Sequence, residues 1–209
     1  GLLVPLHAKS DQVDATAKFL DQGAELVKNE PLTTQWFALK YSNPADTFAI
    51  FDTFESDEGR GAHLGGPIAA ALMQNAPTLL HTPPDIGQID ILASRVDPPW
   101  TSSKSKTAGV SVGLRVLFTA KGDKIEEVKK FLTGALPLVN EEPSTVVWYA
   151  IHFPGTANFG IVDFFPDEEG RNAHLKGKVA AALFASVDKL LTGTPDVVPV
   201  NVLAAKITV

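Results

Sequence analysis

The sequence predicts an α+β protein built from one unit used twice, and two observations predict it. The first is an internal repeat. The stretch from Asp57 through Glu58-Gly59-Arg60-Gly61-Ala62-His63-Leu64 to Leu72 returns as Glu168 to Leu183 with 11 of 16 positions identical, where average composition gives about one chance match. The second is the order of periodicities around that repeat: alternation, helical spacing, two more alternating runs, helical spacing again and a last alternating run, in both copies.

The copies align over nearly their whole length. Ala8-Lys9 matches Ala120-Lys121, Phe19-Leu20 matches Phe131-Leu132, Glu30-Pro31 matches Glu142-Pro143, and Trp36 matches Trp148. One residue is lost after Tyr41, where Ser42-Asn43-Pro44-Ala45 faces Pro154-Gly155-Thr156, a turn that tolerates a length change.

Leu2, Val4, Leu6 and Ala8, like Leu114, Val116, Phe118 and Ala120, alternate as a strand. Asp11 and Asp123 are placed to cap a following helix, and Val13, Ala17, Leu20, Ala24 and Val27 give its apolar face. The helix ends before Pro31 and Pro143, and Pro137 is expected to kink the second copy because it removes a backbone donor. Thr33 to Tyr41 with Phe48 to Phe54, and Thr145 to Phe153 with Phe159 to Phe165, read as hairpins rich in β-branched and aromatic residues.

Ser56 and Asp167 are N-cap residues with acids in the next turn. Gly66 and Gly177 stop the helix, and Pro67 suits the first turn of a new one, so a broken helix is predicted. Ile86 to Ser94 and Val197 to Ala205 close each copy as strands. The β-α-β-β-α-β order is the ferredoxin-like unit, a four-stranded antiparallel sheet with helices on one face. Its other face needs cover, so the expected architecture is two tandem ferredoxin-like units whose sheets pack as an intramolecular pseudo-dimeric α+β barrel. The expected division is residues 1–96, a linker at 97–110 with Trp100 docking on a groove, and residues 111–209.

Composition narrows the function classes. A net charge of −6 argues against nucleic acid or an anionic membrane as the main partner. With no cysteine there is no disulfide, thiolate metal site or Cys nucleophile. There is no signal-type N-terminus and no run of about 18 apolar residues, so a cytoplasmic location is expected, with Gly1 a processing remnant. The histidines lack metal-motif spacing and no phosphate-binding glycine loop is present, so no metal and no nucleotide cofactor is expected.

Phe51-Asp52-Thr53-Phe54, the repeated Glu-Gly-Arg-x-Ala-His-Leu-x-Gly pattern and the Ala-Ala-Ala-Leu run that follows resemble the antibiotic biosynthesis monooxygenase family of the dimeric α+β barrel superfamily. Members usually carry one unit per chain and dimerise, so this chain resembles a fused dimer, and a further homodimer of the whole chain is open. The resemblance implies a cofactor-independent monooxygenase that takes a small quinol-like or polyketide-derived aromatic compound and molecular oxygen. A non-catalytic small-molecule-binding or stress-response protein and an aromatic cyclase or isomerase are the alternatives. Position 54 holds Phe where a haem-degrading relative would be expected to carry an indole.

Oxygenation without a cofactor needs a base to make the substrate electron-rich and a dry pocket to hold it. His63 and His174 are the candidate bases, because imidazole titrates near neutral pH. The alternative is a helix histidine satisfied by its neighbours. Asp52 and Asp163 share a strand face with Phe48, Ile50 and Phe54, or Phe159, Ile161 and Phe165, where a carboxylate needs a partner. They either orient the histidine or are held by helix N–H groups or by Arg60 and Arg171. Trp36 and Trp148 alternate with Phe37 and Tyr149 on the second strand, and with His152, Phe54 and Phe165 these aromatics are candidates for substrate binding or for core. The copies differ at Phe37/Tyr149, Lys40/His152 and Leu3/Arg115, so two pockets would not be equivalent.

Overall fold

A computed structural model describes residues 1–97 and 106–208. The first repeat runs β1 (Leu2–His7), α1 (Val13–Val27), β2 (Thr33–Tyr41), β3 (Thr47–Phe54), α2 (Asp57–Leu64), α3 (Pro67–Leu79), β4 (Gly87–Gln88) and β5 (Asp90–Val96). The second runs β6 (Val112–Thr119), α4 (Ile125–Thr133), α5 (Leu136–Asn140), β7 (Val147–His152), β8 (Asn158–Phe165), α6 (Glu168–Leu175), α7 (Lys178–Leu190) and β9 (Asp196–Ile207). The α+β class and the ferredoxin-like element order are those predicted.

Two compact units form. One is built on Gly1–Gln88 and receives the chain again from Val200; the other is built on Val110–Pro199 and receives residues 89–97. In the first unit the antiparallel strand order is β4-β1-β3-β2-β9, with Tyr41↔Val200 to Gln35↔Ile207 joining β9 to β2. In the second the order is β9-β6-β8-β7-β5, with Asp90↔His152 to Val96↔Val147 joining β5 to β7. β5, the last strand of the first repeat, thus belongs to the second unit's sheet, and β9, the last strand of the second repeat, ends in the first unit's sheet. A strand adding to a sheet edge satisfies a row of otherwise free backbone groups, which is the physical gain of this arrangement.

Each unit packs helices on one face of its sheet. Leu2, Val4, Trp36, Ala38, Phe48 and Ile50 meet Leu20, Ala24, Val27, Ile68 and Leu72 in the first. Val112, Leu114, Trp148, Phe159 and Ile161 meet Val128, Leu132, Val179 and Leu183 in the second. The alternate strand positions, Phe37, Leu39 and Phe51 in one unit and Tyr149, Ile151 and Val162 in the other, are buried as well. Both faces of these strands are therefore apolar, as the unbroken aromatic runs require.

Some local expectations are corrected. Asp11 and Asp123 are not N-caps: α1 starts after Gln12 and α4 after Lys124, with no side-chain cap in either case. Asp11 instead accepts a hydrogen bond from Gln12 Nε2 at 3.1 Å. Pro137 does not kink one helix but opens a new one, α5, after a break at Gly134 and Ala135, as a residue without an N–H can only in a first turn. The closing strand of the first repeat is two pieces, β4 and β5. Trp100 lies outside the described residues. Ser56 and Asp167 do cap α2 and α6, accepting from Gly59 N at 3.3 Å and Gly170 N at 2.9 Å, and each helix pair breaks at Gly66 and Gly177.

The strand that each unit receives carries a cation to the same place. Lys206 on β9 donates to Val27 O (3.1 Å) and Glu30 O (2.6 Å), closing the end of α1. Arg95 on β5 donates to Val139 O (2.9 Å) and Glu142 O (3.0 Å), closing the end of α5. A charged donor on helix C-terminal carbonyls satisfies orphan acceptors and the helix dipole together. Arg95→Met is expected to lower stability by about 2 kcal/mol and Tm by roughly 4–8 °C; an unchanged Tm by differential scanning calorimetry would show that these bonds contribute nothing net.

Candidate functional site

In both units a histidine on the broken helix lies between two carboxylates. His63, in the last turn of α2, sets Nδ1 2.6 Å from Glu30 Oε2 and Nε2 3.3 Å from Asp52 Oδ2. His174, in the last turn of α6, sets Nδ1 2.5 Å from Glu142 Oε2 and Nε2 3.2 Å from Asp163 Oδ2. Thr33 and Thr145 donate to the same glutamates at 3.1 and 2.9 Å. Asp52 also accepts from Leu2 N at 3.1 Å. Arg60 and Arg171 do not reach the aspartates; they pair with Asp57 and Glu168 at 3.0 and 3.4 Å.

The local sequence explains the placement. Ser56 and Asp167 fix where the short helix starts, which puts the histidine seven residues on, over the strand that carries the aspartate. The proline turn after the first long helix presents the glutamate from the other side. Its carboxylate lies beneath the start of the next helix: a Cβ at Gly66 would come 2.6 Å from Glu30 Oε1, and one at Gly177 would collide with Glu142 Oε1. With glycine at the break, the carboxyl group occupies the space a side chain would take.

A ring with a carboxyl group at each nitrogen is favoured in its doubly protonated form. Burial acts to strip the proton from His63, but the bonds and charges of Asp52 and then Glu30 outweigh it and raise the pKa. For His174 the same contest, with burial opposed by Asp163 and Glu142, ends with the pKa raised to about 10. Burial raises the pKa of Asp52 and of Asp163 against the pull of the histidines. Glu142 is also penalised by burial, yet the His174 hydrogen bond and charge hold its pKa below the usual carboxylate range. Each site is a buried carboxylate–imidazolium–carboxylate triad.

The first unit's triad opens on a cleft. It lies between helices and sheet, walled by Leu2, Val4, Ile50, Ile68, Leu72 and Met73, with Asp52 and His63 in its lining and about 480 Å³ of space including the open mouth. The second unit has a cleft at a different place, between α4, α5 and α7, walled by Phe131, Ala135, Leu138, Ile161, Val179 and Leu183, with about 620 Å³ including its mouth. Its origin is the helix break. In the first unit α1 is continuous, and Gly23 lets it approach α3 so closely that a Cβ there would stand 2.8 Å from Ile68 Cδ1; the second unit has Ala135 at the matching position.

The aromatic candidates lie elsewhere. Trp36 and Trp148 are in the helix-facing cores. Phe37 and Tyr149 are buried on the opposite strand face, Phe37 with its ring centroid 6.1 Å from that of Phe51. Phe54 and Phe165 each stand 5.3 Å from the ring of their unit's triad histidine, supporting it from outside the cleft. His152 stacks on Phe159 at 4.6 Å and reaches Thr156 O at 3.0 Å, away from the triad. Glu30, Glu142, Thr33 and Thr145 are site residues that the candidate set omits. The repeated Glu-Pro-x-Thr, identical in kind at both copies, is the signal that could have found them.

No protein-family model matches the chain, and no curated protein does. Solved structures do. A candidate monooxygenase from Fusobacterium nucleatum superposes with a TM-score of 0.84 over 99% of this chain and 93% of its own, at 10% identity. The likeness is one of fold. An anthrone oxidase-like protein gives a TM-score of 0.61 over 98% of this chain and 91% of its own, at 10% identity. A ferredoxin-fold protein from Listeria monocytogenes, related to antibiotic biosynthesis monooxygenases, gives 0.52 over 96% and 94%, at 9% identity. The chain therefore has the α+β fold of these structures along its length, and among the described residues no helix is long and apolar enough to cross a membrane.

The triad makes a pH prediction with a definite sign. His174 binds its proton more tightly folded than unfolded, so its contribution is complete below the unfolded pKa and is lost as pH rises through the folded one. Tm is expected to fall as pH goes from 6.5 towards about 10, and less steeply in His174→Gln. Equal slopes for both proteins in thermal melts across that range would contradict an imidazolium at this position.

Proposed function

We propose that this chain binds a small aromatic compound in the cleft of its first unit and oxidises it with molecular oxygen, as a fused pair of antibiotic biosynthesis monooxygenase-like units acting on quinol-like or polyketide-derived aromatics without a cofactor. The observation that carries the reading is the apolar helix–sheet cleft with a buried carboxyl group in its wall, Asp52, 3.3 Å from the His63 ring. An apolar pocket with one convergent polar group is the usual form of a small-molecule site. The monooxygenase-like fold supports it by analogy.

The chemistry assigns roles within the triad. His63 has no free lone pair in this geometry, so the proton acceptor is Asp52, and the imidazolium positions it and holds its charge. Burial raises the Asp52 pKa and brings it nearer to that of a weakly acidic phenol or benzylic CH₂. The resulting carbanion or phenolate gives an electron to O₂, and the radical pair joins as a hydroperoxide. Loss of water then leaves a carbonyl. For an anthrone the sum is CH₂ + O₂ → C=O + H₂O, with the ring carbon oxidised, one oxygen atom retained and the other released as water.

The two-fold occurrence of the triad favours a second reading, a non-catalytic small-molecule-binding barrel. Asp163, His174 and Glu142 form the same arrangement in the other unit, as a helix-to-sheet tie would in both.

An oxygen electrode separates the two. With anthrone or a hydroquinone, enzyme-dependent uptake is expected, and Asp52→Asn should lower kcat by about 100-fold or more. Thermal stabilisation by these aromatics with no uptake would establish the binding protein instead and overturn the oxygenase.

A further inference from the structure

The cleft at Asp52 shares one wall residue with a second groove. Met73, on α3, also lines a neighbouring groove formed with Lys9, Ala76, Pro77, Leu80, His81 and the Thr82-Pro83-Pro84 segment, about 610 Å³ with its mouth. Met73 is the single methionine of the chain and is 54% exposed, standing at the seam with Ile86 and Leu64 exposed around the first mouth. A flexible, polarisable side chain at such a seam adapts to what crosses it. The far groove has a different character. Lys9 lies in its wall, its ammonium donating to Pro77 O at 2.7 Å with donors to spare; His81 is exposed there, and no acidic side chain lines the groove.

The second repeat lacks this combination. Lys121 keeps the matching contact, to Asp188 O at 2.5 Å, but Asp188, Thr192 and Phe184 stand at the positions of Pro77, His81 and Met73. A carboxylate replaces a proline beside the lysine, and a bulkier rigid ring replaces the methionine.

Resting on the oxygenase reading above, we propose that the two clefts form one elongated site in the first repeat alone, whose substrate is a fused-ring aromatic with an anionic substituent. The reacting ring lies at Asp52, the ring system crosses Met73, and the carboxylate or comparable anion is met by Lys9 and His81. An anion at this end is attracted by Lys9 and kept from the Asp52 end, where net negative charge repels it. The asymmetry of the repeats follows, since only the first offers a cationic groove free of acid.

The test compares two probes on the intact chain under anaerobic conditions: anthrone, and anthrone carrying a carboxylate on an outer ring. By isothermal titration the carboxylate is expected to bind about 10-fold more tightly, and Lys9→Met/His81→Ala should erase that preference while leaving neutral anthrone bound as before. Equal affinity for the two probes, or a preference that survives the double substitution, overturns the elongated anionic site and leaves the oxygenase reading standing. Failure of both probes to bind overturns both.

Discussion

The interaction on which the rest of the structure depends is the buried pair of contacts made by one imidazolium, His63 or His174, with a glutamate on one side and an aspartate on the other. Three segments distant in sequence meet there: the proline turn after the first long helix, the third strand and the short helix. Such a triad is costly to desolvate, and removing one member leaves an uncompensated buried charge, so the three residues are held to one another. Other features follow from it. The helix breaks just after the histidine, at a glycine whose missing side chain leaves room for the glutamate carboxyl group.

The same parts serve two ends. As a tie, the triad fixes a polar helix to a strand whose remaining residues are apolar. In the proposed chemistry, it sets the Asp52 carboxyl group in the wall of an apolar cleft, where burial raises its pKa. A functional site built from a structural tie has little freedom to drift in geometry, because each distance is fixed twice over. In the first unit the tie faces an apolar cleft; in the second the space has moved to the broken α4–α5 helix, away from the triad.

Small substitutions produced that difference. Gly23 permits close packing of α1 on α3, whereas Ala135 together with Pro137 accompanies a break and an opening. Met73 against Phe184 and Pro77 against Asp188 change the rim in shape and in charge. Arg95 and Lys206 show the opposite behaviour, keeping a cation on the same helix end although the residue type has changed. The framework contacts are preserved in kind, and the surfaces that would meet a ligand are not.

The sequence by itself determined the repeat, the α+β class, the order of strands and helices, the caps at Ser56 and Asp167 and the helix break, because each is written in local periodicity or in a backbone property of one residue type. It also singled out His63, His174, Asp52 and Asp163, since a repeated histidine and a carboxylate in an apolar strand stand out locally. Tertiary structure decided the rest. Glu30 and Glu142 sit 33 and 32 residues from the histidines they hold, and no periodicity records a contact of that range. The placing of β5 and of the end of β9 in the unit built mainly from the other repeat was equally invisible, because a strand's alternation is the same whichever edge it joins. So was the location of the clefts, which depends on how closely two helices pack and not on the pattern of either one.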